Sequence, residues 1–322
     1  MKPVCRVSRP EDMKAMNDVV LSANPHLEER INTFATRGAR WHDATPVACE
    51  AAGEIVSCAV VFHREVWVGS AKKRFGGIGA VATRSEARGK GYATQVLAMC
   101  EEVMRERGYG VAILFCSIVE FYQRLGWSVV EEDWIEFALP RSRPPSSYRV
   151  EQVSLTEIPR TIRQLFDEAG HNAIVRPDDL WEEYGRWQRE DADLFLSAYT
   201  GDQPVACVRG RRAREKAGIR LMEAAFLGGH DDALLRLLQQ QRATIAGDAP
   251  VKVHAFLSQA HPLASALTRA GIETTWKRTS PEVGVMMCKP LAVPRADVFL
   301  RADDFAAGVP WSPRVWWAID RF

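Results

Sequence analysis

A proline- and serine-rich stretch, Pro140-Arg-Ser-Arg-Pro-Pro-Ser-Ser147, divides the chain, and the elements on its two sides follow one order. The stretch has no apolar periodicity and reads as a linker. Ahead of it the pattern predicts a strand at Val4–Ser8, a helix over about Glu11–Ser22, and strands at Val47–Glu50, Ile55–Phe62 and Phe75–Ala82. A long helix then runs from near Gly91 to Gly108, where glycine suits the C-terminal cap. A buried strand Val111–Cys116, a short helix Val119–Leu125 and strands Trp127–Val130 and Trp134–Leu139 complete the first pass. The second pass gives a strand Tyr148–Val153, a helix Leu155–Ala169, and strands Leu194–Ala198, Pro204–Arg209 and Ile219–Phe226. It continues with a helix Asp231–Ile245, a strand Val251–Leu257 and a short helix Leu263–Ala270 closed by Gly271. Two passes through one order predict a tandem duplication of an α/β unit. The length, 322 residues, exceeds one typical core and agrees with that. The expected division is a first domain at 1–140, a linker at 141–147, a second domain at 148–290 and a tail at 291–322. The tail is rich in aromatics, among them Trp311, Trp316, Trp317 and Phe322.

Hydrophobic residues make up 47% and charged residues 26%, the composition of a soluble globular protein. Formal net charge is +1, so bulk charge gives no reason to expect nucleic acid or an anionic membrane as partner. The small basic run Arg211-Arg212-Ala-Arg214 reads as a solvated hairpin edge. No stretch has the apolar length of a membrane span, and Met1–Pro10 lacks the apolar core of a secretion signal. The seven cysteines are scattered without a Cys-x-x-Cys pair and read as reduced thiols. A cytoplasmic location is therefore expected. The seven histidines show no metal-ligand spacing, so no metal is expected.

The segment with chemical content is Gly79-Ala-Val-Ala-Thr-Arg-Ser-Glu-Ala-Arg-Gly-Lys-Gly-Tyr-Ala-Thr94: a strand, a loop with two glycines, then a helix. A glycine loop opening a helix aims several backbone N–H groups at one point, and the helix dipole adds favourable potential there for a phosphate or diphosphate. Arg88 and Lys90 add cationic donors. A Gly-x-Gly turn alone is weak. A Walker loop is absent, and a Rossmann fingerprint fails because the loop follows the fourth strand rather than the first.

Glu86-Ala-Arg-Gly-Lys-Gly91 resembles the coenzyme A loop of the GNAT superfamily of N-acetyltransferases, whose pattern is Gln/Arg-x-x-Gly-x-Gly/Ala. Glu86 departs from that pattern and is expected to point to solvent. Phe121-Tyr-Gln-Arg-Leu-Gly-Trp127 is similar to the family's Phe-Tyr-x-x-x-Gly-Phe signature, and the short connection from Ser117 to Tyr122 is similar to the Eis-like and aminoglycoside acetyltransferase branches. The resemblance covers about residues 1–140. It implies two tandem GNAT-like domains, each a mixed, mostly antiparallel sheet flanked by helices, with the second degenerate.

For the site, the resemblance implies acetyl-CoA as cosubstrate. Val81, Ala82 and Thr83 would contact its pantetheine arm, and Arg88, Gly89, Lys90, Gly91, Tyr92, Ala93 and Thr94 its diphosphate. Ser117 and Ile118 would lie near the pantetheine or adenine end. Gly76, Gly77 and Gly79 fit a bulge or close backbone approach, or simply a weak strand. Tyr122 is the implied general acid toward the leaving thiolate, against the reading of an interfacial tyrosine with its ring in the core. The family's strand glutamate is missing from Phe75–Ala82. That leaves His63, Glu65, Glu120 or a water chain as base, or, as in Eis-like proteins, a terminal carboxylate, here Phe322 or Asp320. In the second half Glu223 occupies the strand position, but no Arg-Gly-x-Gly follows, and Asp231 and Asp232 open the helix in place of a phosphate. The implied activity is transfer of an acetyl group to the primary amine of a small molecule. A protein or peptide acceptor, a non-catalytic acyl-CoA-binding module, and a homodimer stay open.

Overall fold

The computed structural model describes residues 2–25, 43–139, 147–154, 157–187, 193–213, 218–246, 251–281, 284–291 and 299–305. The first half opens with β1 (Val4–Val7) and α1 (Met13–Ala23), followed by β2 (Ala44–Ala51), β3 (Glu54–Val68) and β4 (Ala71–Thr83). Then come α2 (Tyr92–Glu106), β5 (Val111–Cys116), α3 (Val119–Gln123), β6 (Ser128–Val130) and β7 (Asp133–Ala138). The second half gives β8 (Arg149–Gln152), α4 (Arg160–Ala169), α5 (Asp178–Trp187), β9 (Asp193–Thr200), β10 (Gln203–Arg212) and β11 (Gly218–Phe226). It ends with α6 (Asp231–Ala246), β12 (Lys252–Phe256), α7 (Pro262–Arg269), β13 (Thr274–Arg278) and β14 (Val285–Pro290).

These strands build two seven-stranded sheets, ordered β1-β2-β3-β4-β5-β14-β6 and β13-β7-β12-β11-β10-β9-β8. Within each the pairing is antiparallel except at β4–β5 and β11–β12. The duplication expected from the pattern is therefore present as two mixed, mostly antiparallel sheets flanked by helices. Period-two patterning explains the strands, and the apolar face of α2, with Val96, Leu97, Cys100 and Met104 buried, covers the first sheet. Leu234, Leu237 and Leu238 of α6 do the same for the second.

The two sheets exchange strands. β7 pairs with β12 and β13 in the second sheet, and β14 pairs with β5 and β6 in the first. Each incoming strand takes the same place, beside the strand that runs parallel to its neighbour. The expected limits 1–140 and 148–290 therefore do not follow sheet membership. Residues 133–138 belong to the second sheet and 285–290 to the first. An alternating strand pattern says that a segment will pair but not with which edge, so the exchange was invisible in the sequence. β13, β14 and α5 were not anticipated, and the helix expected from Leu155 begins at Arg160 behind Pro159.

A second junction lies along β3. Trp67 N–H donates to Ala173 O at 2.8 Å, Val175 N–H donates to Glu65 O at 3.0 Å, and Val66 bridges Ile174. From this segment Arg176 reaches a buried charge cluster in the second domain. It meets Glu223 at 2.6 Å, and Arg209 joins Glu223 at 3.3 Å and Asp193 at 2.8 Å. The four side chains are at most 1% exposed. Glu223→Ala removes the carboxylate that Arg176 and Arg209 share. It is expected to cost about 3–5 kcal/mol, the range for breaking a buried ion pair by removing one partner. Chemical denaturation checks this, and an unchanged midpoint contradicts it.

Candidate functional site

β4 and β5 pair only at Gly76–Ala112, Gly77–Ile113 and Ile78–Leu114. Both strands continue, β4 to Thr83 and β5 to Cys116, without pairing to each other. The sheet thus opens as a wedge between Gly79–Thr83 and Phe115–Cys116, leaving the β4 edge that faces β5 without a ladder partner among the described residues. A β-bulge accompanies the opening. From Cys58 to Val60 β3 advances two residues, while β4 advances three, from Ala82 to Gly79. Ala80 sits in that extra step at φ 51°, a conformation an L-residue seldom adopts. The irregularity expected from the three strand glycines falls one residue beyond them. On the β3 side β4 stays anchored, since Ser57 Oγ bonds Ala82 O and Thr83 Oγ1, each at 2.8 Å.

The loop that leaves the wedge turns twice through left-handed backbone, at Gly89 (φ 77°) and Gly91 (φ 79°). Gly91 is the N-cap of α2, and no side chain caps the helix or places an acid in its first turn. A Cβ on either glycine would meet nothing within 4 Å. Glycine is needed here for its φ, and the space above the loop is open. Arg88 and Lys90 are exposed beside it, Tyr92 and Ala93 are half-buried, and Thr94 is exposed. Arg88 Nε leans back toward Thr83 O at 3.4 Å. Glu86 is exposed and accepts a bond from Ser85 Oγ at 2.9 Å. Its own backbone amide, then Ser85, hold its carboxyl below the usual range. Nothing acidic from it occupies the loop. These features form a cradle with the donors that a diphosphate requires.

Across the wedge, Ser117 and Ile118 are exposed at the end of β5, Ile118 to 59%. Tyr122 on α3 is 5% exposed, set edge-on to Phe121 at 5.0 Å and Trp127 at 6.2 Å. Its hydroxyl makes no hydrogen bond among the described residues. Burial, helped by the nearby Cys116 and Cys100, pushes the phenol above its ordinary value. Val81, Tyr92, Cys116 and Tyr122 share one hydrophobic cluster, so the strand, the helix start and α3 meet on that face of the sheet. Phe322 and Asp320 lie outside the described residues, as does most of the 24–46 segment.

The other candidate bases are placed elsewhere or unremarkably. His63 pairs with Gly76 on the closed side of the wedge. Its Nε2 meets Thr45 Oγ1 at 2.8 Å and its Nδ1 meets Tyr109 Oη at 3.1 Å. Burial first, then Arg107, lowers its pKa to about 4, so it is a neutral core histidine. Glu65 lies two residues further from the opening, and Glu120 is exposed on α3. One contributor to the wall was missed by the sequence reading. β14 lies against β5, with Val285 opposite Cys116 and Met287 Sδ 3.4 Å from Cys116 Sγ. A weak sulfur–sulfur contact between residues 171 apart has no local signal.

The second sheet repeats the wedge and fills its loop differently. β11 and β12 pair only from Gly218–Lys252 to Arg220–His254. At the N-terminus of α6, Asp231 accepts from Arg269 at 2.7 Å and Asp232 accepts from Tyr148 Oη at 2.9 Å. Carboxylates and their internal partners stand where the first domain has open amides. Among the described residues no three His, Cys, Asp or Glu side chains could hold a metal, and no helix is long and apolar enough to cross a membrane.

Residues 6–130 match the family model of the acetyltransferase (GNAT) domain. No curated protein sequence matches the chain. Among solved structures, a probable N-acyltransferase from Enterococcus faecalis is similar at 14% identity and TM-score 0.68, over 90% of this chain and 73% of that one. A GCN5-related N-acetyltransferase from Anabaena variabilis gives the same values. Eis1 from Mycobacterium abscessus is similar at 14% identity and TM-score 0.58, over 90% and 74%. Residues 6–130 thus match the acetyltransferase (GNAT) domain model, and the chain shares the fold of these structures, built as two similar sheet-and-helix domains.

Proposed function

We propose that the first domain binds acetyl-CoA and transfers its acetyl group to the primary amine of a small molecule. The observation that carries this is the coincidence of three features at one place: the β4–β5 wedge, the uncapped α2 amides behind Gly89 and Gly91, and a buried tyrosine with an unbonded hydroxyl. Val81–Thr83 would hold the pantetheine arm through backbone groups on the unpaired strand edge. The amides of Gly91–Thr94, with Arg88 and Lys90, would hold the diphosphate, and Ser117 and Ile118 would flank the arm from β5. Acetyl-CoA supplies the thioester that an amine can attack. Tyr122 keeps its proton through the working pH range, because its pKa is raised rather than lowered, and can give it to a departing sulfur.

Phe322 stands in this reading as the base, through its carboxylate. The described segment at 299–305 returns to the first domain, at the closed end of β4. Leu300 N–H donates to Arg74 O at 2.9 Å, Lys73 pairs with Asp304 at 2.7 Å, and Phe299 lies edge-on to Tyr109 at 5.7 Å.

Gly91→Val tests the cofactor cradle. A Cβ there meets no neighbour within 4 Å, so the side chain enters open space. The valine nevertheless occupies the open space over the amides and strains a residue at φ 79°. Coenzyme A affinity by calorimetry is expected to fall at least about 100-fold, which is the loss of a few charge-assisted hydrogen bonds. Far-UV circular dichroism should not change. Equal affinity for the variant and the parent would sink the reading.

A further inference from the structure

The ladder between β1 and β2 places two thiols face to face. Cys5 is the direct partner of Cys49. Ser8 N–H donates to Pro46 O at 3.0 Å, which makes Ser8–Pro46 a hydrogen-bonded pair of that ladder. Hydrogen-bonded and non-bonded pairs alternate along an antiparallel ladder, so Arg6–Ala48 is bonded and Cys5–Cys49 is not. Non-bonded pairs bring their Cα atoms to roughly 4.5 Å and their side chains closest together. That is the short end of the separation a disulfide spans, about 4.4–6.8 Å. Both side chains face the same hydrophobic cluster under α2. Cys5 is half-buried on an edge strand, and Cys49 lies fully buried beneath it.

From this geometry we infer that Cys5 and Cys49 form a reversible cross-strand disulfide when the protein meets a hydroperoxide. The half-buried Cys5 sulfur attacks the peroxide, forming a sulfenic acid and releasing an alcohol or water. The Cys49 sulfur then attacks the Cys5 sulfur and expels water, so two thiols lose two electrons and two protons to one peroxide. The link would close a loop holding α1 and the segment that leads into β2, and would pin the four-residue edge strand to its neighbour. Burial raises both thiols, Cys5 to about 12, so the reaction is slow at neutral pH and quickens as pH rises.

The full chain is treated with hydrogen peroxide at pH 8.5, alkylated under denaturing conditions and mapped by mass spectrometry. A Cys5–Cys49 peptide pair is expected, with a rise in melting temperature of about 5 °C that dithiothreitol reverses. Cys49→Ser should abolish both and leave Cys5 as a sulfenic acid trapped by dimedone. The inference is overturned if Cys5 and Cys49 both stay alkylatable while the partly exposed Cys116 or Cys288 is oxidised. It is equally overturned if Cys5 joins another cysteine, or if the melting temperature rises to the same extent in Cys49→Ser.

Discussion

Cutting the chain within residues 141–147 is expected to yield two halves that do not fold alone and that recover a soluble, cooperative structure when produced together. Without β14 the first sheet has nothing between β5 and β6, and without β7 the second has nothing between β12 and β13. Ile135, Phe137, Val285, Met286 and Met287 are each at most 2% exposed. At about 2 kcal/mol for each buried side chain, the first half loses about 6 kcal/mol and the second about 4, a large share of the roughly 5–15 kcal/mol that stabilises a whole domain. The ladders on both sides of each missing strand would open as well. Lys289 also leaves Glu101, a 6% exposed carboxylate that it meets at 2.6 Å. Solubility and thermal melting of residues 1–146, of 147–322 and of the co-expressed pair decide the matter. A sharp melt of 1–146 alone, with its own β7 in the place of β14, would show that the exchange is not required.

Tyr122→Phe is expected to lower kcat for acetyl transfer about 10²–10⁴-fold while leaving coenzyme A affinity within about threefold, the range for removing a general acid. The substitution deletes one hydroxyl that bonds nothing among the described residues. Packing against Phe121 and Trp127 is kept, and stability should be unchanged or slightly higher. Because burial raises the phenol, the parent should show no loss of activity from deprotonation of this acid below about pH 10. The measurement is thiol release from acetyl-CoA across a panel of small amines and amine-bearing peptides, which also reports which acceptor class is used. Full activity in Tyr122→Phe removes the tyrosine from the mechanism. Binding without turnover on every amine instead favours an acyl-CoA-binding module. The same assay on a chain lacking Phe322 and the few residues before it tests the terminal carboxylate, and unchanged turnover discards it.

Much of the first domain could be read from local pattern. Gly89 and Gly91 before the apolar face of Tyr92, Val96, Cys100 and Val103 specify a phosphate-ready helix start, because φ and amide direction are set by nearest neighbours. The loss of that start in the second half was equally legible in Asp231 and Asp232, whose partners Arg269 and Tyr148 the structure then supplied. Glu223 shows the limit. Its strand position suggested a family role, but it lies 1% exposed between two arginines. Those partners sit 47 and 14 residues away, where no periodicity reports them.

By itself, then, the sequence determined the element order up to α7 apart from α5, the duplication and the glycine loop, since these depend on backbone preference and on periodicity over a few residues. Only the tertiary structure decided where β4 parts from β5, that β7 and β14 trade sheets, and that His63 is sealed in the core. Strand pairing is a choice among edges of nearly equal chemistry, settled by how whole faces pack rather than by any residue's own neighbours.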